Sequence, residues 1–456
     1  MRAFHYAWFS FFIAFFGWFS IPPLLPTIKR ELRLTPDQVA NTNIASVSST
    51  IVGRLIVGPL CDRYGARVVQ ASLLVLGALP VGAAAVVTDY VGFLIVRFFI
   101  GLVGCSFVAT AFWTSSMFTN EIVGSANALA AGWGNLGAGV TYLLTPFLFD
   151  LVTSGSAVTD DWGWRITLLF PAVCMVAVGV CLYYFADDCP HGNYSDIKKL
   201  YGLGDRLRAP QTTSLQTAMW RVSKKPVVWI LAFHYACSFG VEIQVHNVLS
   251  LYYYEDFTRA GCDPSIHHCR LLSQTTAGVI SSLFGLMCIF ARAAGGYASD
   301  VASRRWQMQG RVGVQCFILA GEAASLLVFS RVTSLGLSIL WLIVFGVLVQ
   351  ACTGSTYGIV PYVAPAHTGI TSGIVGAGGN AGALAWGFLF KAAASRADAF
   401  MFMSGFVAAA TLLCGAVYVD GEGSLWRNEP PGRTTADCGD ERRHEERGDD
   451  PRCVQL

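Results

Sequence analysis

The stretch GWGNLG at residues 132–137 sets one asparagine among three glycines inside an apolar run. Late in the chain, GGNAG at residues 378–382 repeats that arrangement, again inside an apolar run. An arginine within an apolar run precedes each stretch, at Arg54 and at Arg292. The two halves of the chain therefore repeat in the same order. Such internal symmetry is typical of secondary transporters, whose substrate site lies near the middle of the membrane between the halves.

The composition around these stretches indicates a membrane protein. Of 456 residues, 54% are hydrophobic and only 13% are charged, which is about half the charged share of an average soluble domain. A soluble chain of this length would form two or three domains with charged surfaces. The apolar surface must therefore face lipid. The net charge of +2, without a basic stripe that carries aromatic residues, argues against a nucleic-acid partner.

Apolar runs of the length that crosses a bilayer recur along the chain, since a membrane helix needs about 20 apolar residues. The first run begins near Met1 and has neither a basic region nor a clear cleavage site, so we interpret it as a retained span rather than a signal peptide. We predict twelve transmembrane helices, over residues 4–28, 39–60, 68–87, 90–115, 123–150, 163–186, 226–252, 274–298, 312–330, 335–357, 367–393 and 397–419.

The longest polar break inside the membrane part, residues 187–225, separates six runs from six. Its lysines and arginines place it in the cytoplasm by the positive-inside tendency, and an even number of spans places both termini on that side. The basic residues at 29–33 in the first outer loop run against this assignment. We predict an all-α membrane protein with two pseudo-symmetric six-helix bundles, at 1–186 and 226–419. The charged tail 420–456 is expected to be disordered and cytoplasmic.

The fourteen cysteines mostly lie inside apolar runs, where buried thiols behave as small apolar side chains. Cys262 and Cys269 share a polar loop, and a disulfide between them is expected only if that loop faces an oxidising compartment. His267, His268 and Cys269 form a cluster of metal-ligand types, but a solvated loop is the favoured interpretation. We therefore predict no metal site and no cofactor.

The two arginines lie deep in the predicted membrane. Arg54 stands eight residues before Asp62, and Arg292 stands eight residues before Asp300. At 1.5 Å per residue each arginine lies about 12 Å below its helix end, near the bilayer centre. An arginine there costs at least about 2.5–3.5 kcal/mol on insertion scales. Pairing with a membrane carboxylate or carbonyl, or snorkelling outward, is the alternative. The symmetric placement and the lack of a matching pair of central carboxylates argue against it.

Two guanidinium groups that face one cavity repel each other and require an anion between them. The guanidinium group presents a flat fork of donors, which complements a flat oxyanion. A small planar anion such as nitrate could accept bonds from both forks, but phosphate or a sugar phosphate would match the charge equally well. The charges alone therefore predict an anion, without specifying which.

The glycine-rich stretches would allow helices to pack closely around such a site, because small residues let transmembrane backbones approach one another. Asn135 and Asn380 would then direct their amides inward. The alternative is ordinary packing with one hydrogen bond between helices. Phe107, Tyr235 and Phe239 could enclose an anion, although aromatic residues are common throughout this chain.

Several stretches resemble motifs of one family when they are taken together. AAGWGNLG at 130–137 and the run 376–382 resemble two nitrate signatures, and FARAAGG at 290–296 resembles an eighth-helix arginine motif. The chain resembles the nitrate/nitrite porter family of the major facilitator superfamily, and within it the eukaryotic high-affinity nitrate transporter branch. The similarity extends over nearly all of residues 2–420. The family's longer N-terminus is missing, and Ala138 and Ala293 stand where Gly and Pro are expected.

The resemblance implies a major facilitator fold and roles for individual residues. It implies that Arg54 and Arg292 clamp nitrate and that further side chains line the site: Asn135, Phe107, Tyr235, Phe239 and Asn380. It implies gating or structural roles for a larger set, which resembles the loop after the second helix, the fourth-helix motif and the signature glycines: Asp62, Arg63, Arg67, Arg97, Asp300, Gly132, Gly134, Gly137, Gly378, Gly379 and Gly382.

We therefore expect a plasma-membrane carrier that imports nitrate, and also nitrite, by alternating access. The resemblance implies proton symport, and Glu242 and Glu322 are the candidate proton carriers, although each fits a hydrogen-bonded structural acid equally well. Nitrate/nitrite exchange and carriage of another small anion are the alternatives. A nitrate sensor is less favoured because we find no signalling domain, and we find no enzyme motif. An accessory subunit is left open.

Overall fold

The computed structural model describes residues 2–118, 123–154, 158–188, 215–259 and 269–427. These residues are almost entirely helical. Ten segments in this part of the chain are long and apolar enough to cross a membrane: Arg2–Glu31, Ala66–Val86, Tyr90–Met117, Ala126–Thr153, Asp160–Phe185, Pro226–Glu255, Gln274–Arg331, Leu335–Val363, Ile370–Ala392 and Arg396–Ala416.

Two further observations account for the twelve predicted spans. The 58-residue segment Gln274–Arg331 turns at Gln307, whose backbone is non-helical with φ 49° and ψ −132°, and so contains the predicted eighth and ninth spans. Helix Pro36–Tyr64, which is more polar, is the second span. We refer to these spans below as the first to the twelfth segment in chain order. The prediction of an all-α membrane protein is confirmed.

Helix starts follow from short polar capping residues. Thr35 accepts a hydrogen bond from the Gln38 backbone N–H, and the Gln38 side chain accepts one from the Thr35 backbone N–H. This reciprocal capping satisfies two donors that a helix start leaves free. The side chains of Asp89 and Ser395 cap the fourth and twelfth segments in a similar way. Each cap fixes where a segment enters the membrane.

The packing of the segments groups them into two halves. In the N-terminal half the first segment packs on the fifth, the third on the sixth and the second on the fourth. In the C-terminal half the seventh packs on the eleventh, and helix Ala291–Arg331, which contains the end of the eighth segment and the ninth, packs on the tenth and twelfth. The halves meet where the fifth segment packs on the eighth and the second on the eleventh.

The predicted domain boundaries at residues 186 and 226 stay predictions, since residues 189–214 lie outside the described part. Residues 428–456 of the predicted tail also lie outside it.

Polar contacts join the two halves at one end of the bundle, which we call the Lys29 end. Lys29, at the end of the first segment, forms an ion pair of 2.6 Å with Glu255 at the end of the seventh. Within the C-terminal half, Arg396, at the start of the twelfth segment, pairs with both Glu255 and Asp256 and so holds the carboxylate that Lys29 contacts. Gln274 accepts a hydrogen bond of 2.6 Å from the Thr27 hydroxyl. The Lys29 end of the interface is therefore closed.

Two of the predicted gating residues, Arg67 and Asp300, lie at the opposite end. Arg67 donates to the carbonyl oxygens of Tyr183 and Ala186 at 3.0 and 3.2 Å. Asp300 forms an ion pair of 2.7 Å with Arg311. Each of these contacts stays within one half. The side chains of Asp62 and Arg63 lie outside the described residues.

The polar loop with the cysteines and histidines is described only in part. Cys262, His267 and His268 lie outside the described residues, whereas Cys269 is disulfide-bonded.

The glycines of the first signature allow close packing of the fifth segment. A Cβ atom added at Gly137 would lie 2.1 Å from the carbonyl oxygen of Phe12, and one added at Gly134 would lie 1.8 Å from the Phe11 ring. On another side of this segment, a Cβ at Gly139 would lie 2.6 Å from the backbone of Gly285. The first and eighth segments therefore pack against glycine backbone, which larger residues would force apart.

We expect Gly137→Ala to lower the melting temperature of the purified protein in detergent, because overpacking against a backbone carbonyl costs roughly 1–3 kcal/mol. Gly405→Ala is the matched control, since a Cβ there has nothing within 4 Å, and alanine should preserve or raise stability at that position. An equal melting temperature for the two variants would show that the close approach at Gly137 does not matter for stability.

Candidate anion-binding site

Arg292 lies in the eighth segment, is only 2% exposed and has a carboxylate partner. Its Nη2 atom lies 2.6 Å from Oε2 of Glu242 in the seventh segment and donates to Oε1 of Gln350 in the tenth at 3.2 Å. From the sequence we expected no membrane carboxylate to pair with the central arginines, because none lies in symmetric positions. This expectation is wrong for Arg292, whose partner comes from a different helix and has no counterpart near Arg54 among the described residues.

Asn135, from the fifth segment, completes the surroundings of Arg292. With its amide oxygen facing the guanidinium group, it accepts hydrogen bonds from Nη2 at 2.6 Å and from Nη1 at 2.9 Å. The opposite orientation gives one longer bond, 3.3 Å, from the amide nitrogen to Glu242. We prefer the first orientation, since two short bonds from a cation are stronger than one long bond. Arg292 is thus bound by residues from both halves.

Arg54 lies in the second segment, is 9% exposed and has no such counter-ion among the described residues. Its Nη1 donates to the carbonyl oxygen of Gly376 in the eleventh segment at 3.2 Å. Its Nε and Nη2 atoms have no hydrogen-bond partner among the described residues. Buried polar groups without a partner are rare in folded proteins, and a buried cation is costly unless it is paired. The unused donors of Arg54 therefore indicate a place for an anion.

One aromatic ring connects the two arginines. The Cζ atom of Arg54 lies 5.5 Å from the centroid of the Phe239 ring, and that of Arg292 lies 6.0 Å from the same centroid. Because both guanidinium carbons lie within 6.0 Å of the same ring centroid, their separation is less than twice that value. Arg54 also lies 5.4 Å from the Phe107 ring. Buried rings near the cations favour them through their π faces and keep water away.

The backbone of the seventh segment presents these rings. Its π-helical turn, Ala236–Gly240, follows Tyr235 and contains Phe239. The two rings stack with centroids 5.1 Å apart and an interplanar angle of 10°. A Cβ atom at Gly379 would lie 2.5 Å from the Tyr235 ring and 3.0 Å from the Phe239 ring. Gly379, which belongs to the second signature, therefore leaves space for the stacked rings of Tyr235 and Phe239. π-helical turns are rare and often occur at functional sites.

The other second-signature residues hold the eleventh segment in place. The Asn380 amide nitrogen donates to the carbonyl oxygen of Gly376 at 3.2 Å, which is the oxygen that Arg54 also contacts. Asn380 thus lies next to the Arg54 contact, and its Oδ1 atom has no partner in the described part of the chain. Cβ atoms at Gly378 and Gly382 would lie 2.7 and 2.5 Å from alanine Cβ atoms of the seventh segment.

Gly132, from the first signature, allows the eighth segment to pack closely against the fifth. A Cβ atom there would lie 3.0 Å from the Cys288 carbonyl oxygen and 3.7 Å from Cβ of Arg292.

Two residues of the tenth segment at this site, Gln350 and Tyr357, were not predicted from the sequence. The Tyr357 ring packs edge-on against Tyr235 with centroids 5.1 Å apart. Their only sequence signal is that they are polar residues in a very apolar run.

The two candidate proton carriers have different surroundings. Glu242 is 1% exposed and pairs with Arg292. Glu322, in the ninth segment, is fully buried, and neither of its carboxylate oxygens has a hydrogen-bond partner among the described residues. An isolated buried carboxylate is strongly disfavoured in its charged form, so Glu322 is expected to be neutral and Glu242 to be charged.

The charges of the site select a class of ligand. Two guanidinium groups and one carboxylate leave one uncompensated positive charge, at Arg54, in a water-poor interior. While Glu242 is charged, a monovalent anion would cancel this charge, whereas a divalent anion would leave an excess negative charge. The fork geometry and flat aromatic walls match a small planar oxyanion.

Comparison with known proteins identifies the family. The model of the Major Facilitator Superfamily matches residues 7–387. The chain belongs to the Major Facilitator Superfamily. It is 37% identical to "High affinity nitrate transporter 2.5" of Arabidopsis thaliana over 390 residues, which cover 86% of this chain and 74% of that protein. It is 35% identical to "Nitrate transporter 2.1" of Chlamydomonas reinhardtii, with 88% and 72% covered.

A more distant relative is "Nitrate/nitrite transporter NrtP" of Nostoc punctiforme, 27% identical over 86% of this chain and 87% of that protein. Among solved structures, a bacterial homologue of the human lysosomal transporter Spinster, inward-facing and occupied, superposes with a TM-score of 0.62 at 12% identity. It covers 90% of this chain and 94% of that one, and it supports the fold alone.

These matches confirm the resemblance to nitrate transporters of the superfamily, the major facilitator fold and the assignment as a multi-pass integral membrane protein. The family and the named relatives are transporters, not enzymes.

Proposed function

We propose that this protein imports nitrate, and also nitrite, by alternating access around Arg54 and Arg292. The observation that carries the proposal is the pair of buried guanidinium groups, one from each half, beside the single Phe239 ring. Because each half contributes one cation, a bound anion would be held from both sides and released when the halves part. The names of the plant, algal and cyanobacterial relatives support nitrate and nitrite as the anions.

We further propose proton symport through Glu242. In the resting site Glu242 occupies donors of Arg292 that an anion would use. Protonation would neutralise the carboxylate, weaken the ion pair and make Arg292 available, so that proton and anion would bind together. The energetics favour such coupling, since import of one monovalent anion against an inside-negative potential costs about 2.3 kcal/mol per 100 mV. One proton cancels this cost.

The proposed orientation places both termini and the loop 187–225 on the cytoplasmic side of the plasma membrane. The Lys29 end and the disulfide-bonded Cys269 then face outward, where disulfides persist. An accessory subunit is not required by the proposed cycle. Nitrate/nitrite exchange is the alternative that uses the same site without a proton.

Uptake of labelled nitrate into liposomes that contain the purified full chain tests the function. We expect uptake to depend on an inward proton gradient and to be inhibited by unlabelled nitrite but not by equimolar phosphate, since phosphate is tetrahedral in each of its protonation states and does not match a planar site. Equal inhibition by phosphate would overturn the assignment to planar monovalent anions. Uptake that requires internal nitrite and ignores the proton gradient would establish exchange instead.

A further inference from the structure

A third buried arginine lies outside the site described above. Arg97, in the fourth segment, is fully buried. Its Nη2 atom donates to Oδ1 of Asn43, in the second segment, and to Oδ1 of Asn247, in the seventh, the latter at 3.2 Å. Its Nε and Nη1 atoms have no hydrogen-bond partner, and no carboxylate pairs with it, within the described residues. A cation bound only by neutral amides keeps its full charge.

Arg97 lies between the central site and the Lys29 end. Asn43 precedes Arg54 by eleven residues in the second segment, and Asn247 follows Glu242 by five in the seventh. At 1.5 Å per residue these partners lie roughly 16 and 8 Å from the central residues, in the direction of the Lys29 end. Asn43 belongs to one half and Asn247 to the other. Arg97 is therefore at the interface that must open on that side.

Further unused polar atoms surround this position. The hydroxyl of Tyr142 has no partner among the described residues, and neither has either ring nitrogen of His246. The two rings lie 5.6 Å apart, and His246 directly precedes Asn247, which accepts a hydrogen bond from Arg97. Both side chains are almost fully buried. Because buried polar groups are normally hydrogen-bonded, several unused ones around an unpaired cation indicate a place for a polar, negatively charged ligand.

We propose that Arg97 forms a second anion-binding station on the path between the Lys29 end and the central arginines. The proposal rests on the proposed anion transport. When the halves part at the Lys29 end, Asn247 would move away with the C-terminal half, while Arg97 would stay with Asn43. The exposed guanidinium group would then bind an arriving anion. One positive charge surrounded by neutral donors matches a small monovalent oxyanion, the same class as at the central site.

The competing explanation is that Arg97 only holds the closed interface together through Asn43 and Asn247. The two explanations differ in what the loss of an amide partner should do. If Arg97 is only an interface bond, removal of either partner should have similar effects. If Arg97 is a station, removal of the cation should weaken capture of external anion, whereas removal of Asn247 should leave the cation free to bind.

Kinetics of labelled-nitrate uptake in cells that express the full chain can separate these outcomes, with Arg97→Gln compared with Asn247→Ser. We expect Arg97→Gln to raise the KM for external nitrate about tenfold or more, as the loss of a charge-assisted contact predicts, with a smaller change in maximal rate. Asn247→Ser should not raise the KM. Arg97→Lys keeps the charge but loses the planar fork of donors, so its KM should lie between those of the wild type and Arg97→Gln. If Arg97→Gln does not reach the membrane, Arg97→Lys is compared with Asn247→Ser instead.

A wild-type KM in Arg97→Gln, or the same kinetic change in Arg97→Gln and Asn247→Ser, would overturn the station while leaving nitrate transport intact. Failure of the wild-type protein to carry nitrate would instead overturn the proposed function together with the station.

Discussion

Arg54→Lys is expected to lower kcat/KM for nitrate uptake by about a hundredfold or more. In the structure Nη1 of Arg54 donates to the Gly376 carbonyl, and its Nε and Nη2 atoms, which have no hydrogen-bond partner among the described residues, are available to an anion. The lysine ammonium keeps the charge, but it is a single point that cannot hold the carbonyl and grip a planar anion as a fork does. Hydrogen bonds to charged groups contribute about 1.5–3 kcal/mol each, so the loss of one or two gives this magnitude.

Arg165→Lys is a matched control for this substitution. Arg165 is a buried arginine of the sixth segment that bonds to Asp161 and to the carbonyl oxygens of Ala85 and Val87. Its replacement should lower thermal stability and leave the KM for nitrate unchanged. Labelled-nitrate uptake, normalised to the amount of protein in the membrane, measures both variants. If Arg54→Lys keeps wild-type kinetics, the guanidinium clamp is wrong.

Glu242→Gln is expected to abolish accumulation of nitrate driven by a proton gradient while preserving nitrate exchange. Glutamine resembles the protonated carboxyl group, so Arg292 would be permanently available to the anion and no proton would be required. We expect at least about a tenfold loss in the accumulation ratio, since one co-transported proton contributes about 1.36 kcal/mol per pH unit of gradient. The dependence of uptake rate on external pH should become flat between pH 5 and 8.

The comparison variant is Glu322→Gln. Because the carboxylate oxygens of Glu322 accept no hydrogen bond from the described residues and Glu322 is expected to be neutral, its amide replacement should preserve accumulation. The reverse result, with accumulation lost in Glu322→Gln and kept in Glu242→Gln, would identify Glu322 instead of Glu242 as the proton carrier. Reconstituted liposomes with an imposed pH gradient provide the measurement, and counterflow of labelled nitrate at equal pH shows that each variant is still a working carrier.

Glu242 also changes the expected electrical behaviour. Two guanidinium groups alone would leave the empty site with two repelling positive charges. With Glu242 paired to Arg292, the empty site carries one net positive charge, and the site with nitrate and a protonated Glu242 carries the same net charge. A cycle with this one proton is therefore electroneutral. Inward current under voltage clamp would require a second proton carrier.

The membrane segments could be predicted closely from sequence, because a run of apolar residues has to match the thickness of the lipid. The predicted span 90–115 became Tyr90–Met117, and 163–186 became Asp160–Phe185. Less was predictable where the backbone departs from the α-helix. The bend at Gln307 lies in the polar break that separates the predicted spans 274–298 and 312–330, whereas the π-helical turn Ala236–Gly240 leaves no signal in hydropathy.

At the site, the sequence indicated which side chains are buried charges but not which of them are neighbours. Arg54 and Arg292 stood out because a buried cation is costly. The partnership of Arg292 with Glu242 and Gln350 could not be predicted, since it depends on the rotation of three helices about their own axes. A change of one residue in helix phase turns a side chain by about 100°, and local sequence does not fix that phase between distant segments.

The bond between Arg54 and Gly376 has a consequence for how the chain is made. Its two residues are 322 positions apart, and ribosomes add about 5–20 residues per second. The second helix is thus released toward the membrane on the order of tens of seconds before the acceptor of its arginine has been synthesised. During that time Arg54 depends on water or lipid headgroups, and the N-terminal half cannot reach its final arrangement before translation is nearly complete.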